Sequence, residues 1–254
     1  MKNKRVVVTG AGSGIGRACA LEFASQGARV ILADINPEGL AESLKLIKVA
    51  GFDADIFVTD VSDPDSVKRL ADFAIGKLSG IDALVNNAAI QVNKTVEDMS
   101  FEEWNRQMAV NVGGIFLCSK QFLPFLKKSR GSIVNMSSVN GFFVEPGCAG
   151  YCATKAAIIG LTKAMAIDHG HEGVRVNCIC PGYIDAGLAE GYFLSQPDPD
   201  KARGEAGKLH ALHRIGKPEE VERVAVFLAG EKASFMTGSS VVVDGGFGSG
   251  LPPK

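Results

Sequence analysis

Residues 5–16 read RVVVTGAGSGIG, and this stretch decides the fold. Its β-branched first half is typical of a buried strand. The strand leads into Gly10, Gly14 and Gly16, after which residues 17–23 show a helical pattern. Glycines let the backbone approach a pyrophosphate closely, and the free N–H groups at a helix N-terminus attract its negative charge. Strand, glycine-rich turn and helix in this order therefore predict a phosphate-binding unit.

A carboxylate follows the second predicted strand. Residues 29–33 form another β-branched and apolar run, which ends in Asp34. The distance from Gly14 to Asp34 is about 20 residues, where a dinucleotide-binding fold places the acid that binds its ribose. The alternative is a glycine-rich turn without a ligand, which the flanking strand, the helix and the terminal acid together disfavour. We expect a dinucleotide cofactor.

Strands and helices alternate along the chain, with no linker, repeat or low-complexity run. Apolar strands joined by helices predict a parallel sheet of about seven strands with helices on both faces, a doubly wound α/β fold of Rossmann type. We expect a single catalytic domain over residues 1–254. The predicted strands are 5–9, 29–33, 54–59, 83–86, 131–136, 174–180 and 239–243. The predicted helices are 14–26, 37–50, 64–78, 101–127, 150–169 and 219–228.

Composition limits the classes of function. The formal net charge of −1 leaves no basic surface, so we expect no nucleic-acid partner. No stretch reaches the roughly 20 apolar residues of a membrane span, and the N-terminus shows no signal-peptide core, so we expect no membrane partner. The six cysteines show no paired CxxC spacing, so we expect no metal site. These features predict a reduced, cytoplasmic protein.

A phenol and an ammonium lie four residues apart in Tyr151 and Lys155, at the start of an apolar helical segment. Positions i and i+4 share one face of a helix. A nearby ammonium favours the phenolate and lowers the pKa of a tyrosine, which could then exchange a proton with a substrate oxygen near neutral pH. The alternative is an ordinary half-exposed pair of residues on a helix. This alternative is disfavoured only because other motifs occur in the same chain.

Three motifs occur together in this chain: the spacing TGxxxGxG at residues 9–16, the run NNAA at 86–89, and YxxxK at 151–155. Their order and spacing resemble those of the short-chain dehydrogenase/reductase family, and the resemblance extends from Arg5 to Gly246. It implies hydride transfer between a nicotinamide and an alcohol or carbonyl carbon. Ala89 replaces the glycine that usually ends the second motif.

The resemblance also implies the catalytic residues. Ser138 would hydrogen-bond the reacting oxygen, with Ser137 left as a turn or cap residue. Tyr151 would be the general acid/base, and Lys155 would lower its pKa and bind the nicotinamide ribose. Asn111 would bind a water that links to the lysine in a proton relay, or mark a kink in its helix, and both readings can hold together.

The implied cofactor contacts include Asp60 and Val61 at the adenine, although a helix cap is the alternative for Asp60. Asn86 is expected to tie neighbouring backbone together beneath the cofactor. Ala186 stands where many relatives carry a threonine, so one hydroxyl contact to the cofactor is missing. The full set is Gly10, Ser13, Gly14, Ile15, Gly16, Asp34, Asp60, Val61, Asn87, Ala88, Tyr151, Lys155, Pro181, Gly182 and Ile184.

Cofactor choice follows from Asp34, whose carboxylate would accept hydrogen bonds from the ribose hydroxyls and repel a 2′-phosphate. Neither Ser13 nor Ile35, where a basic residue would meet that phosphate, is Arg or Lys. Arg17 is near but lies inside the predicted helix. We therefore expect NAD rather than NADP.

The sequence thus predicts an NAD-dependent oxidoreductase acting on a secondary alcohol or ketone such as a sugar or hydroxysteroid. The alternatives are a catalytically silent dinucleotide-binding regulator or scaffold and, among enzymes, an epimerase or dehydratase. By resemblance, pairing through helices 101–127 and 150–169 would give a homotetramer. The segment 187–214 is expected to form a mobile lid over the substrate.

Overall fold

The computed structural model describes residues 1–250 and confirms the predicted fold class. Within this range, seven parallel strands form one sheet in the order β3-β2-β1-β4-β5-β6-β7. The strands are β1 (Arg5–Thr9), β2 (Arg29–Asp34), β3 (Ala54–Val58), β4 (Ala83–Asn86), β5 (Ser132–Met136), β6 (Arg175–Pro181) and β7 (Ser240–Val243). Residues 251–254 of the expected domain lie outside the described residues.

Helices connect the strands, and short polar side chains begin several of them. The helices are α1 (Gly14–Ser25), α2 (Pro37–Val49), α3 (Pro64–Leu78), α4 (Phe101–Met108), α5 (Gly114–Ser129), α6 (Ala149–Gly170), α7 (Gly187–Leu194), α8 (Pro199–Lys208) and α9 (Pro218–Ala229). Asn36 accepts a hydrogen bond from the N–H of Gly39 at the start of α2, and Ser100 forms a reciprocal capping box with Glu103 at the start of α4. These bonds satisfy N–H groups that a helix leaves without partners.

Alternation along β1 explains why helices cover both faces of the sheet. Val6 and Val8 pack in one apolar cluster with α1 and α9, whereas Val7 packs in another with α3 and α5. All three valines are fully buried. Because successive side chains of a strand point to opposite faces, one apolar run supplies both halves of the core.

The helix predicted over residues 101–127 is interrupted, and the sequence analysis missed this. α4 ends at Met108, Ala109–Gly113 is π-helical, and α5 begins at Gly114. Asn111 lies inside the π-helical segment and is fully buried. A Cβ on Gly114 would come within 2.7 Å of Val61 Cγ2, so a glycine is needed where the helix passes that loop. Such π-helical bulges are frequent at functional sites.

By length and composition one helical run among the described residues could span a membrane. Phe101–Ser129 contains an 18-residue window with a mean hydropathy of 1.3, of which 44% is buried inside the fold. Its buried residues, among them Phe122 and Leu126, pack in the core cluster beneath the sheet. A core helix passes the same length and composition test, so this run adds no argument for a membrane.

The strand order reverses between β1 and β4, the neighbours at the centre of the sheet. β1 continues to β2 and β3 on one side, and β4 continues to β5, β6 and β7 on the other. Loops that leave the carboxyl ends of these two strands diverge, which opens a crevice where ligands bind in open α/β sheets. Two helices outside the predicted set, α7 and α8, lie between β6 and α9 along the chain.

Candidate active site

A cleft of about 970 Å³ runs along the carboxyl ends of the central strands. One end is lined by the glycine turn after β1 and by Asp34 at the end of β2. The other end is lined by Ser138, Tyr151 and Lys155, and α7 borders it. The predicted cofactor turn therefore shares one cleft with Ser138, Tyr151 and Lys155, whereas Asn111, the fourth predicted catalytic residue, is fully buried and does not line it.

The glycine turn leaves no room for side chains. Gly10 and Gly14 have φ angles of +65° and +53°, which L side chains rarely adopt. A Cβ on Gly10 would lie 2.7 Å from Asn87 Nδ2, and one on Gly16 would collide with the carbonyl oxygen of Gly10. α1 begins at Gly14, so its unpaired N–H groups face the same cleft. Backbone and helix end together form a cradle that suits a pyrophosphate.

Asp34 is held against the glycine turn. Its Oδ2 accepts from the N–H of Gly12 at 2.8 Å, and its Oδ1 accepts from the N–H of Asn36 at 2.9 Å. A Cβ on Gly12 would come within 2.9 Å of the Asp34 carboxyl carbon. The carboxylate is thereby fixed at the nucleotide end of the cleft, with acceptor capacity left for ribose hydroxyls.

Arg17 lines the nucleotide end of the cleft, although it lies inside α1. Its guanidinium donates to the carbonyl oxygen of Gly12 and, through Nε, to Ser43 Oγ at 2.9 Å, and the side chain lines the cleft. The guanidinium cation is therefore hydrogen-bonded to the glycine turn and to α2. It acts there as a brace between α1, the turn and α2.

The predicted role of Asn86 is wrong, and its neighbour performs it. Asn86 donates to Ser119 Oγ and to Asn135 Oδ1, which are side chains. Asn87 Nδ2 instead donates to the carbonyl oxygens of Thr9 and Gly10, at 3.1 Å each. Because Asn87 follows the end of β4, its amide reaches across to β1 and closes the floor of the cleft.

Asp60 and Val61 lie after β3, beyond the residues that line the cleft. The Asp60 carboxylate accepts hydrogen bonds from Ser62 and from Arg106. Burial raises the pKa of Asp60, but the Ser62 hydrogen bonds and the Arg106 charge outweigh it and hold the pKa below its ordinary value. Asp63, rather than Asp60, caps α3. The cap alternative for Asp60 is therefore wrong.

Ser138 stands at the end of a hydrogen-bonded row of side chains. Its Oγ donates to Asn140 Oδ1 at 3.3 Å and accepts from the Asn140 N–H at 3.1 Å. Asn140 Nδ2 donates to Glu145 Oε2 at 2.9 Å, and the Tyr183 hydroxyl donates to Glu145 Oε1 at 2.7 Å. Ser137 points elsewhere and donates to the carbonyl oxygen of Lys155. The row links the predicted catalytic serine to a carboxylate within the cleft.

Tyr151 and Lys155 project from the first turns of α6. The Lys155 ammonium lies 5.2 Å from the centre of the Tyr151 ring and donates to the carbonyl oxygen of Met136 at 2.9 Å. Lys155 is almost fully buried. Burial lowers its pKa to about 8, against which Cys180 acts in the opposite direction. The ammonium is thus held at the end of β5, beside the phenol ring.

Burial opposes the expected effect of Lys155 on the pKa of Tyr151. Burial raises the pKa of Tyr151 well above its ordinary value, a hydrogen bond with Ser138 lowers it, and Glu145 is among the negative groups that raise it further. The free-energy cost of removing the phenolate from water exceeds the stabilisation that the hydrogen bond with Ser138 provides. Tyr151 is therefore held in its protonated form at neutral pH.

Asn111 positions the catalytic helix. Its Oδ1 accepts from the N–H of Ile90 at 2.8 Å, while Nδ2 donates to the Ile90 carbonyl oxygen and to Thr154 Oγ1 at 3.0 Å. Thr154 lies between Tyr151 and Lys155 on α6. The π-helical turn brings the amide to this place, and the Asn111 side chain joins the loop after β4 to α6.

Pro181, Gly182 and Ile184 form the wall of the cleft after β6. A Cβ on Gly182 would lie 2.9 Å from His210 Nε2, which explains a glycine there. Ala186 is the N-cap of α7 and provides no side-chain hydrogen bond to that helix. A threonine in its place could supply the cap, so the departure at Ala186 leaves the start of α7 uncapped.

Several cleft residues escaped the sequence analysis. Glu145, Asn140 and Tyr183 form the row described above, and His210 accepts from the N–H of Tyr183 while its Nδ1 lies 2.8 Å from the Ala206 carbonyl oxygen. A carboxylate between the serine and tyrosine motifs was the one available signal. Its partner Tyr183 is 38 residues away in sequence, and the pairing becomes visible only in the fold.

A family model described as enoyl-(acyl carrier protein) reductase matches residues 10–248. That range contains the glycine turn, the serine and the tyrosine–lysine pair. The chain belongs to the short-chain dehydrogenase/reductase family.

Relatives within this family match over nearly the full length. The chain is 41% identical to meso-2,3-butanediol dehydrogenase of Serratia marcescens over 96% of this chain and 94% of the relative. It is 39% identical to a 3-oxoacyl-[acyl-carrier-protein] reductase of Thermotoga maritima over 97% and 98% of the two chains. The solved aldohexose dehydrogenase of Thermoplasma acidophilum superposes with a TM-score of 0.91 at 38% identity, over 100% of this chain and 97% of the other.

Membership gives the coarse activity. Dehydrogenases of this family use nicotinamide cofactors, so the protein is an oxidoreductase of that class. Among residues 1–250, no group of three His, Cys, Asp or Glu side chains is arranged to hold a metal ion.

Proposed function

We propose that this short-chain dehydrogenase/reductase transfers a hydride between NAD(H) and a secondary alcohol or ketone. The observation that carries the proposal is the single cleft that joins two separate sets of residues. The glycine turn and Asp34 lie at one end, and Ser138, Tyr151 and Lys155 lie at the other. A dinucleotide that spans the cleft would carry its nicotinamide to the catalytic side chains.

The preference for NAD over NADP rests on Asp34. Its two carboxylate oxygens are fixed by backbone N–H groups and keep acceptor capacity for the two ribose hydroxyls. A 2′-phosphate would meet the same negative charge at close range, which is unfavourable. Arg17 could offset that repulsion only by leaving the Gly12 carbonyl and Ser43.

The remaining cofactor contacts are proposed from their positions. Gly10, Ser13, Gly14 and the start of α1 would hold the pyrophosphate, and Lys155 would hold the nicotinamide ribose. Asn87 and Ala88 would form the floor, and residues 181–184 the wall beside the nicotinamide. Asp60 and Val61 would reach the adenine at the edge of the cleft. When bound, the nicotinamide accepts the hydride in alcohol oxidation and donates it in ketone reduction.

The chain's own residues would handle the oxygen and the proton. Ser138 Oγ would hydrogen-bond the substrate oxygen and stabilise the charge that develops there during reduction. Tyr151 Oη would give its proton to the carbonyl oxygen in reduction and take the hydroxyl proton in oxidation. Each alcohol oxidised thus loses a hydride to the cofactor and a proton to Tyr151, which leaves a carbonyl group.

The pKa of Tyr151 bears on direction. Burial raises that pKa, which favours proton donation by Tyr151 in reduction and makes proton uptake in oxidation easier as the pH rises. Reduction is therefore favoured kinetically at neutral pH, and oxidation at higher pH. Asn111 would keep Tyr151 and Lys155 in place through its hydrogen bond to Thr154.

Substrate class, assembly and compartment belong to the same proposal. The relatives named for butanediol and aldohexose support a small hydroxylated substrate. Phe116 on α5 and Ile167 on α6 are 53% and 81% exposed, which supports pairing through these helices in a homotetramer. We propose a cytoplasmic enzyme in which residues 187–214 act as a lid.

NADH absorbance during incubation with a panel of secondary alcohols and ketones tests the proposal. We expect turnover with NAD(H) that the Tyr151→Phe variant loses. Tight NADH binding without turnover of any alcohol or ketone would favour the silent regulator instead.

A further inference from the structure

Glu145 has no role in the proposed proton and hydride transfers. Its carboxylate nevertheless lines the cleft together with Ser138 and Tyr151. Its Oε1 accepts from the Tyr183 hydroxyl and its Oε2 from Asn140 Nδ2. Both partners are neutral side chains, so this network contains no cation to balance the charge. Glu145 is half-buried, and a carboxylate that is partly removed from water without a cation is stabilised by groups that donate to it.

The Glu145 carboxylate has acceptor positions left over. An ionised carboxylate offers about four lone-pair sites, and Tyr183 and Asn140 fill one on each oxygen. The two donors hold the group in place, as the fixed acceptor of a binding site requires. A ligand in the cleft that carries a hydrogen-bond donor would find an oriented acceptor there.

The place of the carboxylate relative to Ser138 indicates where that donor lies on the substrate. Only the amide of Asn140 separates Ser138 Oγ from Glu145 Oε2, with contacts of 3.3 Å and 2.9 Å. Ser138 would hold the reacting oxygen, so Glu145 would accept from a second group of the same substrate. A carboxylate accepts from a hydroxyl there and repels a carboxylate or phosphate.

The part of the lining that α7 contributes has a different character. α7 contributes Leu188, Tyr192 and Leu194 to the lining, and Leu194 is 66% exposed. Such a surface suits the carbon skeleton of a ligand and provides little for an anion. The cleft thus combines one fixed acceptor with an apolar wall.

We infer that Glu145 is a specificity-determining residue that selects neutral substrates with a hydroxyl next to the reacting carbon, namely vicinal diols and the matching hydroxy ketones. The inference rests on the proposed function. In the oxidative direction, a diol would lose a hydride to NAD and a proton to Tyr151 and become a hydroxy ketone, while its second hydroxyl stays hydrogen-bonded to Glu145. Tyr183 and Asn140 are positioning residues for the carboxylate.

Two alcohols of one carbon skeleton test the inference, namely 2,3-butanediol and 2-butanol. For the wild-type chain we expect kcat/KM to be about 10- to 100-fold higher for the diol, the effect of one hydrogen bond to a charged group. Glu145→Gln, which is isosteric and keeps one oxygen acceptor, should lower kcat/KM for the diol about 10-fold and leave 2-butanol nearly unchanged. Tyr183→Phe should act on the diol in the same direction and less strongly.

For a third substrate, kcat/KM should change in the opposite direction in Glu145→Gln. 3-Hydroxybutyrate carries an anionic carboxylate near its secondary hydroxyl, so the wild type should use it poorly and Glu145→Gln should use it several-fold better. Glu97→Gln is the matched control, since Glu97 is an exposed acid in the loop before α4. It removes the same charge from the chain and should leave all three kcat/KM values unchanged.

The outcomes separate the two proposals. Turnover of 2-butanol with a diol preference that Glu145→Gln does not change would overturn the inference alone. Failure of the wild type to turn over any alcohol or ketone would overturn both. A Glu145-dependent preference for 3-amino-2-butanol over the diol would assign the carboxylate to a cationic substrate and overturn the diol assignment. The remaining outcome is that Glu145→Gln lowers kcat/KM equally for 2-butanol and for the diol while NADH binding stays intact. That result would make Glu145 a structural support of Ser138 and would overturn its role in substrate selection.

Discussion

The two ends of the cleft are built by different means. The nucleotide end consists of backbone and of glycines that lack side chains, within residues 10–16, with Asp34 tied to that backbone. The substrate end consists of side chains that meet from distant places in the sequence, such as Glu145 and Tyr183. The first end demands residue types at fixed local spacing, whereas the second demands only that the fold bring its members together. Changes at the first end should alter cofactor binding, and changes at the second should alter chemistry and substrate choice.

Lys155→Ala should have the largest effect, because this residue belongs to both ends. It would remove a cation beside the Tyr151 ring and a proposed contact to the nicotinamide ribose. We expect kcat to fall by about 10²–10⁴-fold and NADH affinity to fall as well, measured by steady-state kinetics and by NADH fluorescence titration. Loss of turnover with unchanged NADH affinity would place Lys155 at the catalytic end alone.

Asp34→Ser should change cofactor choice and spare the chemistry. For the wild type we expect NAD to be preferred over NADP by about 2–3 kcal/mol in kcat/KM, from charge-assisted hydrogen bonds and charge repulsion. The serine should narrow this preference, chiefly through KM. Equal kcat/KM for the two cofactors in the wild type would contradict the role of Asp34.

Gly10→Ala should damage the nucleotide end by geometry alone. The added Cβ would lie 2.7 Å from Asn87 Nδ2 in a backbone with φ of +65°, so we expect a stability loss of about 1–3 kcal/mol and weaker NADH binding. Gly76→Ala is the matched control. Gly76 lies in α3 with nothing within 4 Å of an added Cβ, so alanine there should stabilise the protein by about 0.4–1 kcal/mol. Thermal unfolding and NADH titration of both variants check the pair.

The pH profile should show the smallest effect and bears on the substrate end. Since burial raises the pKa of Tyr151, the oxidation rate should keep rising with pH up to and beyond the ordinary tyrosine range, while the reduction rate stays level near neutral pH. An oxidation rate that reaches its plateau near neutral pH would restore the expectation that Lys155 lowers this pKa.

The sequence predicts the nucleotide end of the cleft better than the substrate end. The buried strands, the glycine turn, Asp34 and the tyrosine–lysine pair are local patterns, and the fold confirms the doubly wound sheet and brings these residues to one cleft. The π-helical turn at Asn111 was visible only as a polar residue next to two glycines. The spacing of Tyr151 and Lys155 on a helix reports the nearby ammonium, but it says nothing of the burial that raises the pKa of the phenol.

Asn86 and Asn87 illustrate a finer limit. Asn86 is the last residue of β4 and Asn87 follows it, and the sequence analysis assigned the backbone contacts to Asn86. Side chains alternate along a strand, so Asn86 points into the core toward Asn135, and Asn87 reaches the carbonyl oxygens of β1. The register that decides between them is fixed by the pairing of β4 with β1 and β5.

The most direct test of the division between the two ends is the Tyr151→Phe variant, with NADH affinity and turnover measured on the same sample. Only the phenolic oxygen is lost, and its ring can still pack beside Lys155. The account predicts an NADH dissociation constant close to that of the wild type, together with a kcat lower by about 10²–10⁴-fold on any alcohol or ketone that the wild type uses. Turnover at the wild-type rate, or a loss of NADH binding as large as the loss of turnover, would contradict it.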